Sequence, residues 1–529
     1  MHRRPTALVL VAASIVLQGV PRTSRAADGP GTSLTTAVQV FLDAPTPEAR
    51  AKEGAALVAT GDFDGIATRL ANGREHRKDV PTGWLERAQR CPDGKDRPYL
   101  LYVPPDYDPA KAYRFVIELH GGVSRPQVLS KDDFEEMKQL RAAHAEEHAY
   151  LYAMPSGESG AEWWTPVGAG NVLGILDAVR RTWHVDRDRV FVTGFSDGAS
   201  GSYYLALTHP TPFAGFVPLN GHLAVAQAGG LQVHLRTLLD RPVYAVNTDL
   251  DSLYPSVGVA PIADALKALG APFQWHEVKG FAHDPSYLGT ERAPIWAWEQ
   301  GVVRDPRPRH LWWEGAADAP SRVHGLGRVE VAATGKGPTF PDVNPALPPG
   351  RARLGVVVDT AWTGEGVRIA QVNEGSPAAA AGLAPGDVLV RVGDTAVRDA
   401  RALRGALGAV AHGSTVRVEA KRGDATVTKD VTFPPETKEP AFRRTKPRGT
   451  VEVVRDGNAF TVACRDVKAF ELWLEVGAVD FAAPVVVTVN GTVAHRGVVA
   501  KDLAFLVERA AEDDDPGMLY GARLRVAVP

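Results

Sequence analysis

Gly194-Phe195-Ser196-Asp197-Gly198 follows an apolar, β-branched run at residues 189–193 and leads into a helix-like segment at residues 199–208. Strand, Gly-x-Ser-x-Gly, helix is the setting in which a sharp turn lifts a serine hydroxyl clear of a strand end as a nucleophile. Small residues on both sides let the chain turn that tightly. The motif alone is weak in a chain of 529 residues with 52 glycines, so its surroundings decide the reading.

Three further pieces surround it in a definite order. Upstream, Phe115-Val116-Ile117-Glu118-Leu119 reads as a buried strand running into His120-Gly121-Gly122. A glycine loop placed there offers a backbone N–H near Gly122 to an oxyanion, and Asp197, the residue after the serine, offers a second. Downstream, the apolar strand at residues 242–247 ends in Thr248-Asp249-Leu250-Asp251, which presents two candidate acids. Asp249 also suits a loop-capping role. Further on, the strand at residues 273–278 is followed by Lys279-Gly280-Phe281-Ala282-His283, which delivers a histidine. The order Ser, Asp, His differs from that of chymotrypsin-like and subtilisin-like chains. His276 and His310 lack such a position and read as structural.

The stretch from about residue 92 to 300 resembles the polyhydroxybutyrate-depolymerase and feruloyl-esterase-like branch of the α/β-hydrolases. The resemblance is carried by Leu119-His120-Gly121-Gly122, Met154-Pro155-Ser156-Gly157, Trp163-Trp164 and Val185-Asp186-Arg187-Asp188-Arg189-Val190, leading into the Ser196 motif. It implies an α/β class domain: a mostly parallel sheet of the eight-strand type with helices on both faces. It also implies a cofactor-free serine mechanism on carboxylic esters. The Asp-x-x-x-Pro spacing from Asp251 to Pro255 favours Asp251 as the acid on the same resemblance. Trp163 and Trp164 fall in a loop after the strand at residues 150–154. There they would wall a substrate pocket or pack the loop onto the core.

The segment beyond residue 350 carries a second signature. Arg353-Leu354-Gly355-Val356-Val357 is followed by Gly375-Ser376-Pro377-Ala378-Ala379-Ala380-Ala381-Gly382-Leu383 and Pro385-Gly386-Asp387-Val388-Leu389. This string resembles a bacterial PDZ domain. It implies that Leu354, Gly355 and Val356 form a loop receiving a peptide C-terminus, beside a strand edge and a helix near residues 400–409.

The expected organisation is then as follows. Residues 1–26 form a signal peptide, with a positive start at His2-Arg3-Arg4, an apolar run at 7–16 and a small-residue cleavage site at Ser24-Arg25-Ala26. Residues 27–90 form a helical region, 91–304 the catalytic domain and 305–337 the first part of a β-rich domain. Residues 338–349 form a Pro/Gly/Asn linker, 350–437 the PDZ domain and 445–529 the rest of the β-rich domain. Asn490-Gly491 between two alternating runs signals a hairpin there. Asp513-Asp514-Asp515 reads as a solvated loop.

Composition excludes several classes. Net charge is −3 with no basic stripe, so nucleic-acid binding has no electrostatic footing. The 2 cysteines, Cys91 and Cys464, give neither a zinc spacing nor a disulfide framework. The mature chain holds no apolar stretch long enough for a membrane anchor. The reading is an exported serine esterase, periplasmic or extracellular, without metal or cofactor, with a PDZ module for a peptide or protein partner. Its competitors are a peptidase on the same fold and a non-catalytic PDZ scaffold.

Overall fold

In a computed structural model describing residues 33–348 and 352–529, the apolar runs at the centre of the chain lie side by side as one sheet. Its strands are β1 (Gly83–Arg90), β2 (Asp96–Val103), β3 (Tyr113–Leu119), β4 (Leu151–Pro155), β5 (Val185–Phe195), β6 (Gly215–Leu219), β7 (Val243–Thr248) and β8 (Phe273–Val278). They order as β1-β2-β4-β3-β5-β6-β7-β8. β1 and β2 form an antiparallel hairpin and β2 meets β4 antiparallel; every later pairing is parallel. The continuous burial of β3, β4, β6 and β7 follows from helices covering both faces. This is the α/β-hydrolase arrangement, and it places the ends of β5, β7 and β8 along one edge. β1 corrects the expected boundary at residue 90. Its residues are all part-buried or exposed, as suits an edge strand. The expected leader at residues 1–26 lies outside the described residues.

The helical region is α1 (Leu34–Asp43), α2 (Pro47–Ala59) and α3 (Phe63–Ala71), each capped by a side chain, Ser33, Thr46 and Asp62 respectively. Their apolar faces, with Val38, Phe41, Leu57, Ile66 and Leu70, close on Leu506 and Val507 of the C-terminal helix Leu503–Asp513. The preface of the chain thus completes its far end.

Beyond the catalytic sheet, the strand His310–Ala316 pairs with Arg448–Asp456, and Leu326–Val331 pairs with Val467–Glu475. The β-rich body is therefore assembled from both sides of the PDZ segment. It is a five-stranded and a three-stranded sheet around a core that includes Trp313, Val451, Phe470 and Val487. Asn490 and Gly491, both at positive φ, make the expected hairpin turn.

Two expectations need correction. The acidic triplet is not solvated: Asp513, Asp514 and Asp515 are all buried. Asp513 meets Arg322, Asp514 meets Arg74, Arg180 and Arg187, and Asp515 meets Arg304 at 2.6 Å. Those arginines come from the helical preface, the catalytic domain and the β-rich body, so long-range pairing offsets the burial of three like charges. Nor is 338–349 a loose linker. Ala346–Leu347 pairs with Glu439–Pro440 as a short stem at the root of the PDZ segment. Ala441 and Phe442, just past that stem, lie inside the catalytic-domain core. Gln232 accepts from the amides of Thr445 and Lys446, and Arg444 donates to the Val233 carbonyl. The module above has its own core of Leu354, Ile369, Leu389, Val418 and Phe433.

Candidate active site

Ser196 sits where β5 turns into the helix Asp197–Thr208, with φ of 60° and ψ of −119°. Two contacts force glycine on each side. A Cβ on Gly194 would come within 2.6 Å of the Leu119 carbonyl oxygen, and one on Gly198 within 1.8 Å of it. The strained turn is held by the Ser196 amide donating to Leu219 O across the sheet.

Three strand ends converge on this serine. His283 Nε2 lies 2.9 Å from Ser196 Oγ, and His283 Nδ1 lies 2.7 Å from Asp251 Oδ2. It is Asp251, not Asp249, that reaches the imidazole. Asp249 Oδ1 instead accepts from the Gly280 amide and caps the loop that carries His283. Asp251 is buried and has three further attachments. Asn220 Nδ2 donates to Oδ2, and the Leu253 and Tyr254 amides donate to Oδ1. Burial acts to raise the Asp251 pKa, but the bonds from His283, Asn220 and the two amides outweigh it and hold the carboxyl below its ordinary value. An ionised Asp251 requires Nδ1 of His283 to be the N–H donor, which leaves Nε2 as the acceptor facing Ser196 Oγ.

The glycine loop lies against the nucleophile: a Cβ on Gly121 would be 3.0 Å from Ser196 Cβ. His120 braces this loop. Its Nε2 accepts from the Gly157 amide, so Nδ1 carries the hydrogen and donates to Gly121 O at 2.7 Å. Burial pushes its pKa down to about 4, consistent with a neutral ring. Asp197 opens its helix, so its amide is among those with no acceptor inside the helix. Asp197 thus follows the nucleophile directly, and Gly122 follows the Gly121 that packs on it.

Trp163 and Trp164 pack inward. They are 1% and 9% exposed, and Trp163 Nε1 donates to His120 O. A large ring with one polar atom is satisfied underneath the glycine loop. The sequence reading missed Asn220 and Tyr254. Asn220, at φ 54°, follows β6 directly; Asn-Gly after a strand was its signal. Tyr254 hydrogen-bonds Asp197 and its ring lies 5.8 Å from that of His283. Nothing local marked it.

In the distal module, the strand Val356–Val358 ends its sheet and, among the described residues, pairs only with the strand Val367–Val372. Leu354 is buried, Gly355 has φ of 79°, and both carbonyls accept from loop amides, of Ala378 and Asn373. Among the described residues no group of His, Cys, Asp and Glu could hold a metal ion, and no helix is long and apolar enough to cross a membrane.

Comparison with known proteins agrees with this architecture. Residues 173–291 match the phospholipase/carboxylesterase family and residues 351–433 match the PDZ domain family. The chain therefore carries an α/β-hydrolase domain of carboxylesterase type and a PDZ domain. Among curated relatives, a probable feruloyl esterase C of Aspergillus terreus is 31% identical over 137 residues, 25% of this chain and 50% of that one. Dipeptidyl-peptidase 5 of Porphyromonas gingivalis is 25% identical over 210 residues, 38% of this chain and 28% of that one. The chain spans half the length or less of these two relatives. A solved fluorophosphonate-binding serine hydrolase of Staphylococcus aureus is 20% identical, with a TM-score of 0.34, over 41% of this chain and 99% of that one.

Proposed function

We propose that this protein hydrolyses carboxylic esters through a covalent acyl-serine intermediate. The observation carrying the proposal is the unbroken chain Ser196 Oγ, His283, Asp251, at 2.9 and 2.7 Å. His283 Nε2 takes the Ser196 proton as Oγ attacks the ester carbonyl carbon. The carbonyl π electrons move onto oxygen, and the Gly122 and Asp197 amides at the head of a helix receive that charge. Collapse expels the alcohol, protonated by His283. Water then repeats the sequence on the acyl-serine and releases the acid. Asp251 fixes the imidazole tautomer and stabilises its cation. An inactive scaffold would have no use for this alignment.

The esterase-type family match places ester substrates first. The peptidase relative keeps peptide substrates as the second reading, on the same nucleophile. The PDZ domain supports a peptide C-terminus as partner, through the Leu354-Gly355-Val356 loop and the edge strand Val356–Val358. Export rests on the leader pattern of residues 1–26.

The test is labelling with a fluorophosphonate, located by peptide mapping, followed by turnover of parallel ester and peptide panels. The label is expected on Ser196, with short-chain aryl esters turned over and Ser196→Ala inert. Label elsewhere, or full turnover by Ser196→Ala, sinks the mechanism; peptide cleavage without ester cleavage shifts it to the second reading.

A further inference from the structure

Three loops meet at the candidate site: the glycine loop, the elbow and the acid loop. One side chain touches two of them and spans from the third. Asp197 Oδ2 accepts from the Val123 amide at 3.0 Å, and Asp197 Oδ1 accepts from the Tyr254 hydroxyl at 3.0 Å. The Tyr254 amide, in turn, donates to Asp251 Oδ1 at 2.9 Å. The path Val123, Asp197, Tyr254, Asp251 thus ties the residue after Gly122 to the acid that holds His283. It runs beside the reacting serine rather than through it.

We infer that Asp197 and Tyr254 act as a positioning pair, clamping the oxyanion loop and the acid loop to the elbow. The inference rests on the ester-hydrolase reading of Ser196. A glycine pair has no side chain to fix its own position, and Gly122 sits at positive φ of 65°. The Val123 amide held by Asp197 therefore sets where the Gly122 amide lies. The carboxylate suits this task because each of its oxygens accepts from a donor on a different loop. The clamp needs Tyr254 as a hydroxyl donor. Its pKa is pushed up to about 12, first by burial and then by the Asp197 charge, so it keeps its proton across the working range. Neither residue gives or takes a proton in the reaction. Their effect falls on geometry, where a shift of about 1 Å is worth on the order of 100-fold in rate.

The test is steady-state turnover of a short-chain aryl ester by full-length Tyr254→Phe, Asp197→Ala, Asp197→Asn and the Tyr254→Phe/Asp197→Ala double variant. Ser196→Ala is run beside them. Tyr254→Phe is expected to lose roughly tenfold in kcat and Asp197→Ala about 100-fold, with KM within about twofold, because donor placement acts on the transition state. The double variant falls no further than Asp197→Ala, since both cut one chain. Asp197→Asn recovers most of the loss, because its amide oxygen still accepts from Val123 and its NH2 donates to the Tyr254 oxygen. Multiplicative losses, a change confined to KM, or wild-type kcat in Tyr254→Phe overturns the clamp. Should Asp197→Ala fail to fold, the kcat of Tyr254→Phe decides alone. Full turnover by Ser196→Ala fells the catalytic reading itself, and is seen separately from any failure of the clamp.

Discussion

Around Ser196 several polar groups are engaged more than once, while the outer edge of the strand Val356–Val358 in the PDZ domain carries no neighbouring strand among the described residues. Asp251 alone accepts from His283, Asn220 and two amides. The difference follows from what each region is proposed to do. A site where charge develops needs dipoles fixed before the reaction, so its loops are stitched to one another. A site that recruits a chain by strand addition needs backbone groups left unmade until the partner arrives. The two regions also differ in how they are rooted. The PDZ core closes on itself, whereas the catalytic core takes in Ala441 and Phe442 from beyond the PDZ segment. Insertion has left the module independent and its root captive.

The sharpest way to break this contrast is to remove one engaged carboxylate. Asp251→Asn is expected to lower kcat by about 10⁴, because an amide there mis-sets the tautomer of His283. Asp249→Asn is expected to stay within a few fold, as its role is to accept one amide from Gly280. Measured kcat on a soluble aryl ester decides it. The reverse ranking moves the acid to Asp249 and dissolves the account of the four attachments.

The contrast in rooting gives the next effect. Excising residues 352–433 leaves the stem pair Ala346–Leu347 and Glu439–Pro440 in place. Ester turnover is expected within about twofold of the full chain, with binding to C-terminal peptides lost. Excising 338–447 removes Phe442 from the catalytic core as well, and truncating a buried Phe costs about 3–5 kcal/mol. The longer excision is expected to melt well below the shorter one. Equal melting temperatures would show that the stem is packed on the catalytic domain without supporting it.

What was legible in the sequence was local. The elbow, the strands ending in Asp251 and His283 and the Asn490-Gly491 turn each sit within a dozen residues or so, the PDZ string within about forty, and all obey backbone geometry. What was illegible was made by distant partners. The Asp triplet reads as solvated until arginines from residues 74 to 322 surround it. The Pro-rich stretch reads as a linker until Arg236, 105 residues away, is seen to donate to the Pro341 carbonyl. Trp163 reads equally as a pocket wall or as core packing until its N–H is seen to reach His120 O. Tyr254 is one aromatic among many until Asp197 is beside it. Periodicity reports which face is apolar and leaves open which charged or polar groups will find each other.

The smallest effect comes from acid. Burial first, in every case, pushes His76, His120, His144 and His209 down to about 4 and His234 and His324 to about 3, from an ordinary 6.5. All six lie in the body outside the PDZ segment, which between residues 352 and 433 contains His412 alone. As pH falls through 6.5, the unfolded chain binds protons that the folded body refuses until about 4, so stability drops across that window. Glu299 and Glu475, raised by burial from 4.5 to about 7, act oppositely and offset two of the six. The carboxylates of the module whose pKa is lowered, Asp359 and Asp387, matter only near and below 3.8. The melting temperature is therefore expected to fall between pH 7 and 4.5, by the same amount in the full chain and in the protein lacking residues 352–433. A fall that vanishes with the module would place the acid-sensitive groups in the PDZ domain, and a rising melting temperature would mean that the raised glutamates, rather than the imidazoles, govern the body.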